Sequence, residues 1–226
     1  MQWPSFSNVD LFAAAINALN GALVALSPRR DRNFTFVDVL IMAFIGGVGG
    51  GVTRDVLLND LPGPLVHASF LIACLAMGLV GIALYTYANR RGEHFRKNTL
   101  ALVKSFTLPW FAVLGAHKAL DHDCGVIAAV VVGVIATTAG GVVIDLICGV
   151  TPEIVERAEH LVTTAILAAT VYAVLATVTH GSLATFYITL IAVAVAFVFR
   201  LIAVRTHWEE IVPKPHGDEP DVQSPA

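Results

Sequence analysis

Seven apolar runs, each bounded by charge, proline or a polar cluster, constrain this chain more than any other feature: Val9 to Leu26, Phe34 to Leu58, Leu65 to Ala88, Leu100 to Leu120, Gly125 to Gly149, Glu159 to Thr179, and Ser182 to Val204. A hydrocarbon core about 30 Å thick is crossed by roughly 20 apolar residues in a helix, and these runs have that length. Backbone groups in lipid must bond within their own segment, and the runs are continuous rather than alternating, so the expected fold is all-α and not a barrel. With 56% hydrophobic residues, 14% charged and a mean hydropathy of +0.74, a water-soluble globule is excluded. A net charge of -3 gives no support for a nucleic-acid partner. Cys74, Cys124 and Cys148 lack C-x-x-C spacing and read as small packing residues rather than metal ligands or a disulfide framework.

The loops carry the orientation. No Lys or Arg precedes the first run and Arg29, Arg30 and Arg32 follow it, so it reads as a retained helix and not a signal peptide. Arg90, Arg91, Arg96 and Lys97 follow the third run, Arg157 the fifth, and Arg205 and Lys214 the seventh, which places ten basic residues on one side. The opposite loops have none, and the positive-inside rule then puts the N-terminus outside and the C-terminus in the cytoplasm of an inner-membrane, multi-pass protein. The stretch 207–226, rich in proline and acid, is expected to be a disordered cytoplasmic tail.

Comparing the chain with itself gives the architecture. Gly49-Gly50-Gly51-Val52-Thr53-Arg54-Asp55 recurs 90 residues later as Ala139-Gly140-Gly141-Val142-Val143-Ile144-Asp145, and the same offset carries Pro62 onto Pro152. An offset of 94 carries Gly21-Ala22 onto Gly115-Ala116. Residues 9–88 and 100–179 therefore read as two three-helix copies, and an odd number of spans per copy inverts the second, with 182–204 appended as a seventh helix. Inverted repeats place a path near the midplane, at helices interrupted by glycine. The clusters Gly49, Gly50, Gly51 and Gly140, Gly141 allow bending or unwinding that exposes carbonyl oxygens to a cation; they equally allow close helix packing.

The paired Gly-Gly-x-x-x-Asp motifs, the Gly115-Ala116-His117-Lys118-Ala119-Leu120 segment and the seven spans resemble the prokaryotic branch of the trimeric intracellular cation (TRIC) channel family, over roughly residues 9 to 204. The resemblance implies a homotrimer in lipid, each protomer with its own pore for monovalent cations such as potassium, lined by kinked second and fifth helices and needing no cofactor beyond the permeant ion and bound lipid. It also implies a pore and gating role for the residue matching Lys118. Two positions depart from the family pattern: Ile144 stands where an arginine usually recurs, and Asn20 stands where a serine usually precedes Gly21-Ala22. Some relatives with these motifs are linked to glycine transport, so a secondary transporter of a small zwitterion stands as the alternative, and a membrane scaffold as a third.

Ionisable groups inside apolar spans are costly and invite a role. Arg54, Asp55, Lys104, Lys118 and Asp145 are five such groups, each near a helix end where snorkelling or structural pairing competes with function. The offset of 94 carries Asp10 onto Lys104, so Asp10–Arg54 and Lys104–Asp145 are expected as charge-reversed pairs, leaving Asp55 to Lys118. Asn17, Asn20 and Gly21 share one helix face and read either as cavity lining or as interhelical hydrogen bonding; Thr137, Thr138 and Gly141 read the same way. Pro109 is expected to kink the fourth span, with Trp110 beside it as packing. His117, Asp121, His122 and Asp123 are read as lacking an i, i+4 ligand pair and as a wet acidic loop, not a metal site. No catalytic constellation or nucleotide loop is present, which argues against an enzyme.

Overall fold

Helix ends in this chain are set by local chemistry, which recurs between the halves at one pair of C-terminal ends. A computed structural model describes residues 6–26, 34–89, 93–149, 160–179 and 182–206, with Thr151, Pro152 and Ile154. The tail 207–226 and most basic loop residues lie outside them. The helices are α1 (Phe6–Ala25), α2 (Phe36–Leu57), α3 (Gly63–Val66), α4 (Ala68–Asn89), α5 (Glu93–Asp121), α6 (Val126–Ile147), α7 (Leu161–Val178) and α8 (Ser182–Thr206). Thr35 opens α2 with a capping box: its backbone N–H donates to Asp38 Oδ2 at 2.8 Å and its hydroxyl accepts from the Asp38 N–H at 3.3 Å. Just past the ends of α2 and α6, Asn59 (φ 54°) and Gly149 (φ 66°) turn left-handed, 90 residues apart, where only glycine or a residue such as asparagine sits without a large steric cost.

Six of these helices are long and apolar enough to cross a membrane: α1, α2, α4, α6, α7 and α8. α5, 29 residues with charge at both ends, runs as one helix through Pro109. Two expected spans change: the fourth begins at Glu93 rather than Leu100, and the third, instead of starting at Leu65, is split, because His67 adopts an extended conformation (φ -113°, ψ 112°) that separates the four-residue α3 from α4. Outward faces are apolar, as with Leu71, Ile72 and Leu79 of α4 and Ile191, Val198 and Ile202 of α8. Such faces belong against lipid or other chains.

α1, α2 and α4 pack on one another, as do α5, α6 and α7; the two groups meet through α2 on α6 and α1 on α5, and α8 lies on α5 and α7. The second group closes on alanines without exposed surface, among them Ala112, Ala116, Ala129, Ala165 and Ala169. Small side chains let helices approach where no hydrophobic force between them exists in lipid. A Cβ on Gly21 would strike the Met42 carbonyl and lie 3.3 Å from Gly46 Cα; one on Gly115 would lie 3.1 Å from the Val132 carbonyl oxygen and 3.0 Å from Ala136 Cβ. Met42 and Gly46 become Val132 and Ala136 at the offset of 90, so each group makes the same contact.

The glycine clusters are helical throughout rather than unwound. At the crossing of α2 and α6, Gly50 sits on the Ala136 carbonyl, while a Cβ on Gly140 would lie 3.2 Å from the Gly46 carbonyl oxygen. Those contacts are mates at the same offset. Gly49 faces Gly140 at 3.0 Å by the same measure, Gly51 meets only Pro64 at 3.8 Å, and Gly141 has open space around it.

Candidate functional site

Two carboxylates and two cations drawn from three helices meet at one end of the α2–α6 crossing. Arg54, in the last turn of α2 and 2% exposed, grips Asp10 of α1 with both terminal nitrogens, Nη1 to Oδ1 at 3.0 Å and Nη2 to Oδ2 at 2.7 Å. Its Nε donates to Asp55 Oδ1 at 2.7 Å. That oxygen also accepts from Lys118 Nζ at 2.9 Å, while Asp55 Oδ2 accepts from the Gly63 N–H at 3.0 Å, which explains why α3 is folded beneath it. Lys118 reaches on to Asp60 Oδ2 at 2.7 Å. The Lys118 ammonium holds the Asp60 carboxyl below the usual carboxylate range, first by that hydrogen bond and then by charge.

A buried ion pair offsets its desolvation only where the remaining donors and acceptors are satisfied, and fully buried Asp55 meets that condition with three donors. The Asp10–Arg54 and Asp55–Lys118 pairs are thus both present; Asp60, not foreseen, closes the chain. Asp10→Ala should lower folding free energy by about 3 kcal/mol by stranding the guanidinium. Exchanging the pair, Asp10→Arg with Arg54→Asp, should recover only part, since a carboxylate at position 54 would then face Asp55. Thermal midpoints of the detergent-solubilised variants check both, and an Asp10→Ala midpoint equal to wild type would count against the pair's structural weight.

Beside this lock, His117 Nε2 lies 3.1 Å from Asp121 Oδ2 and its Nδ1 lies 2.7 Å from the Tyr172 hydroxyl of α7. His117 and Asp121 do form an i, i+4 pair, contrary to the reading of that segment from spacing. Among the described residues no group of three His, Cys, Asp or Glu is placed to hold a metal ion.

At the other end of the crossing α1, α2, α5, α6 and α7 border a partly open cavity of about 50 Å³. Asn17 and Asn20 of α1, Thr107 of α5, and Thr137, Thr138, Gly141 and Asp145 of α6 line it, with Gly46, Ile144 and Leu161. The amide face of α1 is therefore cavity lining, although Gly21 beside it packs on α2. Asp145 is 4% exposed. The Lys104 side chain, its expected partner, lies outside the described residues.

Between lock and chamber stands an apolar cluster of Ala13, Phe111 and Leu114, each 2% exposed or less, with Val9 and Trp110 against it. Its three buried members are the repeat mates of the chamber: at the offset of 94, Ala13 corresponds to Thr107, Asn17 to Phe111 and Asn20 to Leu114. One half is hollow and polar where the other is filled and apolar. On α1 the lock residue Asp10 and the chamber residue Asn20 are ten residues apart, about 15 Å of helix.

Sequence reasoning passed over Phe111 and Leu114, which look like any lipid-span residues; the offset that reveals Asp10 opposite Lys104 would have found them. It also passed over Arg200, an arginine in the apolar α8 that is 1% exposed and donates from Nε to Ser105 Oγ of α5 at 3.3 Å. An arginine inside a span was the available signal.

Against known proteins, the Glycine transporter family model matches residues 8–86 and 101–177. The UPF0126 membrane protein of Deinococcus radiodurans is 31% identical over 159 residues, covering 70% of this chain and 69% of its own length. The UPF0126 inner membrane protein YadS of Escherichia coli K12 is 27% identical over 202 residues, covering 88% and 91%. Among solved structures, the TRIC trimeric intracellular cation channel orthologue from Rhodobacter sphaeroides superposes with a TM-score of 0.78 at 25% identity, over 91% of this chain and 100% of that one. A prokaryotic TRIC channel in 0.5 M KCl gives 0.74 at 20% identity, over 88% and 94%. The solved neighbours are named as cation channels, which are not enzymes. With both repeats matched by the family model and the TRIC arrangement reproduced along nearly the whole chain, this multi-pass membrane protein belongs to the glycine transporter family and has the fold of the prokaryotic TRIC channels.

Proposed function

We propose that the chain conducts monovalent cations, potassium foremost, passively through a path of its own between the two repeats, and that copies assemble as a homotrimer with one pore each. The observation that carries this reading is the succession of three zones along α1 and α5: an acceptor-lined chamber, an apolar plug, and a lock of ion pairs centred on Asp55 and Lys118. Carboxylate and neutral oxygens suit a partly dehydrated cation, and an apolar constriction closed by side chains blocks it by excluding water. The lock adds a fixed positive charge, Lys118, on the route. Solved relatives of this fold are named for cation conductance, which supports the same reading.

In the membrane we place seven spans, the six apolar helices and α5, with the lock facing outward, the chamber facing the cytoplasm and the C-terminus inside, as the basic loops require. YadS is named an inner membrane protein, and we place this chain in the same kind of membrane. Uptake of glycine is the second reading, favoured by the name of the matched family. Potassium efflux from proteoliposomes of the purified protein, with single-channel recording, separates them. We expect discrete current steps that grow with concentration without saturating; slow, saturable glycine uptake with no potassium current would replace the channel reading.

A further inference from the structure

α5 consists of two segments joined at a weak turn. Pro109 has no N–H to give the Ser105 carbonyl four residues back, so one rung of the helix ladder is missing there although the helix continues. Before the turn lie Ser105 and the chamber residue Thr107; beyond it lie Phe111 and Leu114 of the plug and Lys118 of the lock. The far segment rests on α6 through glycine: a Cβ on Gly115 would lie 2.7 Å from Gly133 Cα, a contact without ridges to lift out of grooves. Trp110, the first residue past the turn, packs against the plug and keeps a buried Nε1 with no hydrogen-bond partner. That donor costs free energy in this position, and water entering an opened path would supply its acceptor.

What holds the far segment in place comes from outside the two repeats. α8 packs on α5 and α7 and spans the weak turn like a splint. On the near side its Arg200, 1% exposed, donates from Nε to Ser105 Oγ at 3.3 Å among other contacts, and Phe197 meets Phe106 edge-on with ring centroids 6.4 Å apart. On the far side Val193 and Ala196 share a buried cluster with Ala112 and Ala116. Bending at Pro109 changes the separation of residues 105 and 109, and Arg200 pins the first of these. At the offset of 94, Pro109 corresponds to Ala15 and Ser105 to Leu11, so the first repeat has neither the weak turn nor the hydroxyl. We propose that Arg200 is a positioning residue of the gate: its hold on Ser105 keeps a hinge at Pro109 from bending, and so keeps plug and Lys118 in the closed position. The inference rests on the conduction reading and names the element that regulates it.

Open probability in planar bilayers and hydrogen exchange of the 105–118 amides, both on the full-length protein, test this together. Ser105→Ala deletes one hydroxyl and leaves Arg200 its other contacts; it should raise open probability and speed exchange by about five- to tenfold, the factor carried by one hydrogen bond. Arg200→Lys, which keeps the charge and loses the Nε donor, should act in the same direction; if it does not fold, Ser105→Ala decides alone. Pro109→Ala restores the missing rung and should lower both readouts, and it should cancel the effect of Ser105→Ala in the double variant. Trp110→Phe, which deletes the unpartnered donor, should lower open probability and raise the thermal midpoint. Wild-type behaviour of Ser105→Ala, or an increase that persists with Pro109→Ala present, would make Arg200 an anchor of α8 and overturn the proposal. Exchange that follows this order in a protein without current sinks conduction and leaves the hinge standing; current in a protein whose variants all exchange like wild type sinks the hinge alone.

Discussion

Replacing Phe111 and Leu114 together by asparagine should raise potassium efflux from proteoliposomes by an order of magnitude or more. The substitution gives α5 the residues that α1 already has, since Asn17 and Asn20 occupy the corresponding positions at the offset of 94. Phe111 lies 3.5 Å from the point where a Cβ on Gly50 would stand, so it fills the space beside the α2–α6 crossing. Removing an aromatic and a leucine from a buried cluster empties volume that polar amides then wet, and a wetted constriction no longer excludes an ion. Each tenfold in rate corresponds to about 1.4 kcal/mol of barrier, a small part of what a dry apolar segment opposes to a monovalent charge. The same double substitution should lower the thermal midpoint, because truncating buried apolar side chains costs about 2–5 kcal/mol apiece at the large end. A folded double variant with wild-type efflux would show that the plug is packing beside the path and not an obstruction in it.

Lys118→Met should also raise cation current, by about tenfold, and the reason is electrostatic. Methionine keeps much of the length and removes the positive charge held between Asp55 and Asp60. Two unit charges 4 Å apart interact with about 4 kcal/mol at a surface-like effective dielectric of 20, so deleting the repulsion on an approaching cation is worth a decade even after generous screening. Two carboxylates left facing the route add attraction. Lys118→Glu should go further in the same direction, and Asp60→Asn, which removes a carboxylate and leaves the Lys118 charge less compensated, should lower the current below wild type. Planar-bilayer recordings of the three variants give the order. Identical current–voltage curves and open probabilities in all would make Lys118 an anchor of α5, its closeness to the helix end being the cause of its charge.

Charge was the most legible part of the site because a charge in an apolar span must find a partner. Asp10 with Arg54 and Asp55 with Lys118 follow from the repeat offsets and from that requirement, and the structure brings both pairs within hydrogen-bonding distance. Asp60 was not legible: it stands in a loop, where a carboxylate needs no partner, and the left-handed turn at Asn59 with the Asp60 N–H bond to the Asp55 carbonyl at 2.8 Å brings it onto Lys118. The spans themselves follow from hydropathy, but a four-residue helix such as α3 leaves no periodic signal, so the third span was drawn from Leu65 across a break at His67. Glycine has two uses in a membrane helix, bending and close approach, and sequence does not choose between them. The carbonyls facing Gly50 and Gly140 do, in favour of approach. Phe111 and Leu114 stayed hidden because apolar residues in an apolar span carry no contrast; their meaning is relative to their mates.

The crossing of α2 on α6 has a mechanical side. Side chains normally make ridges that seat in grooves of the partner helix, and to slide or turn one helix must lift its ridges out. Gly49, Gly50 and Gly140 leave Cα atoms and carbonyl oxygens as the contacting surface where they meet the partner helix, with the Ile144 side chain reaching Gly46 beside them. A joint of that kind is a plain bearing: it holds two halves at a fixed separation while offering little resistance to small rotations about the contact. It also tolerates no roughness, since one methyl on Gly50 would land on the Ala136 carbonyl. A small turn of α2 on α6 would pivot on this contact, with the lock toward one end of the crossing and the chamber toward the other.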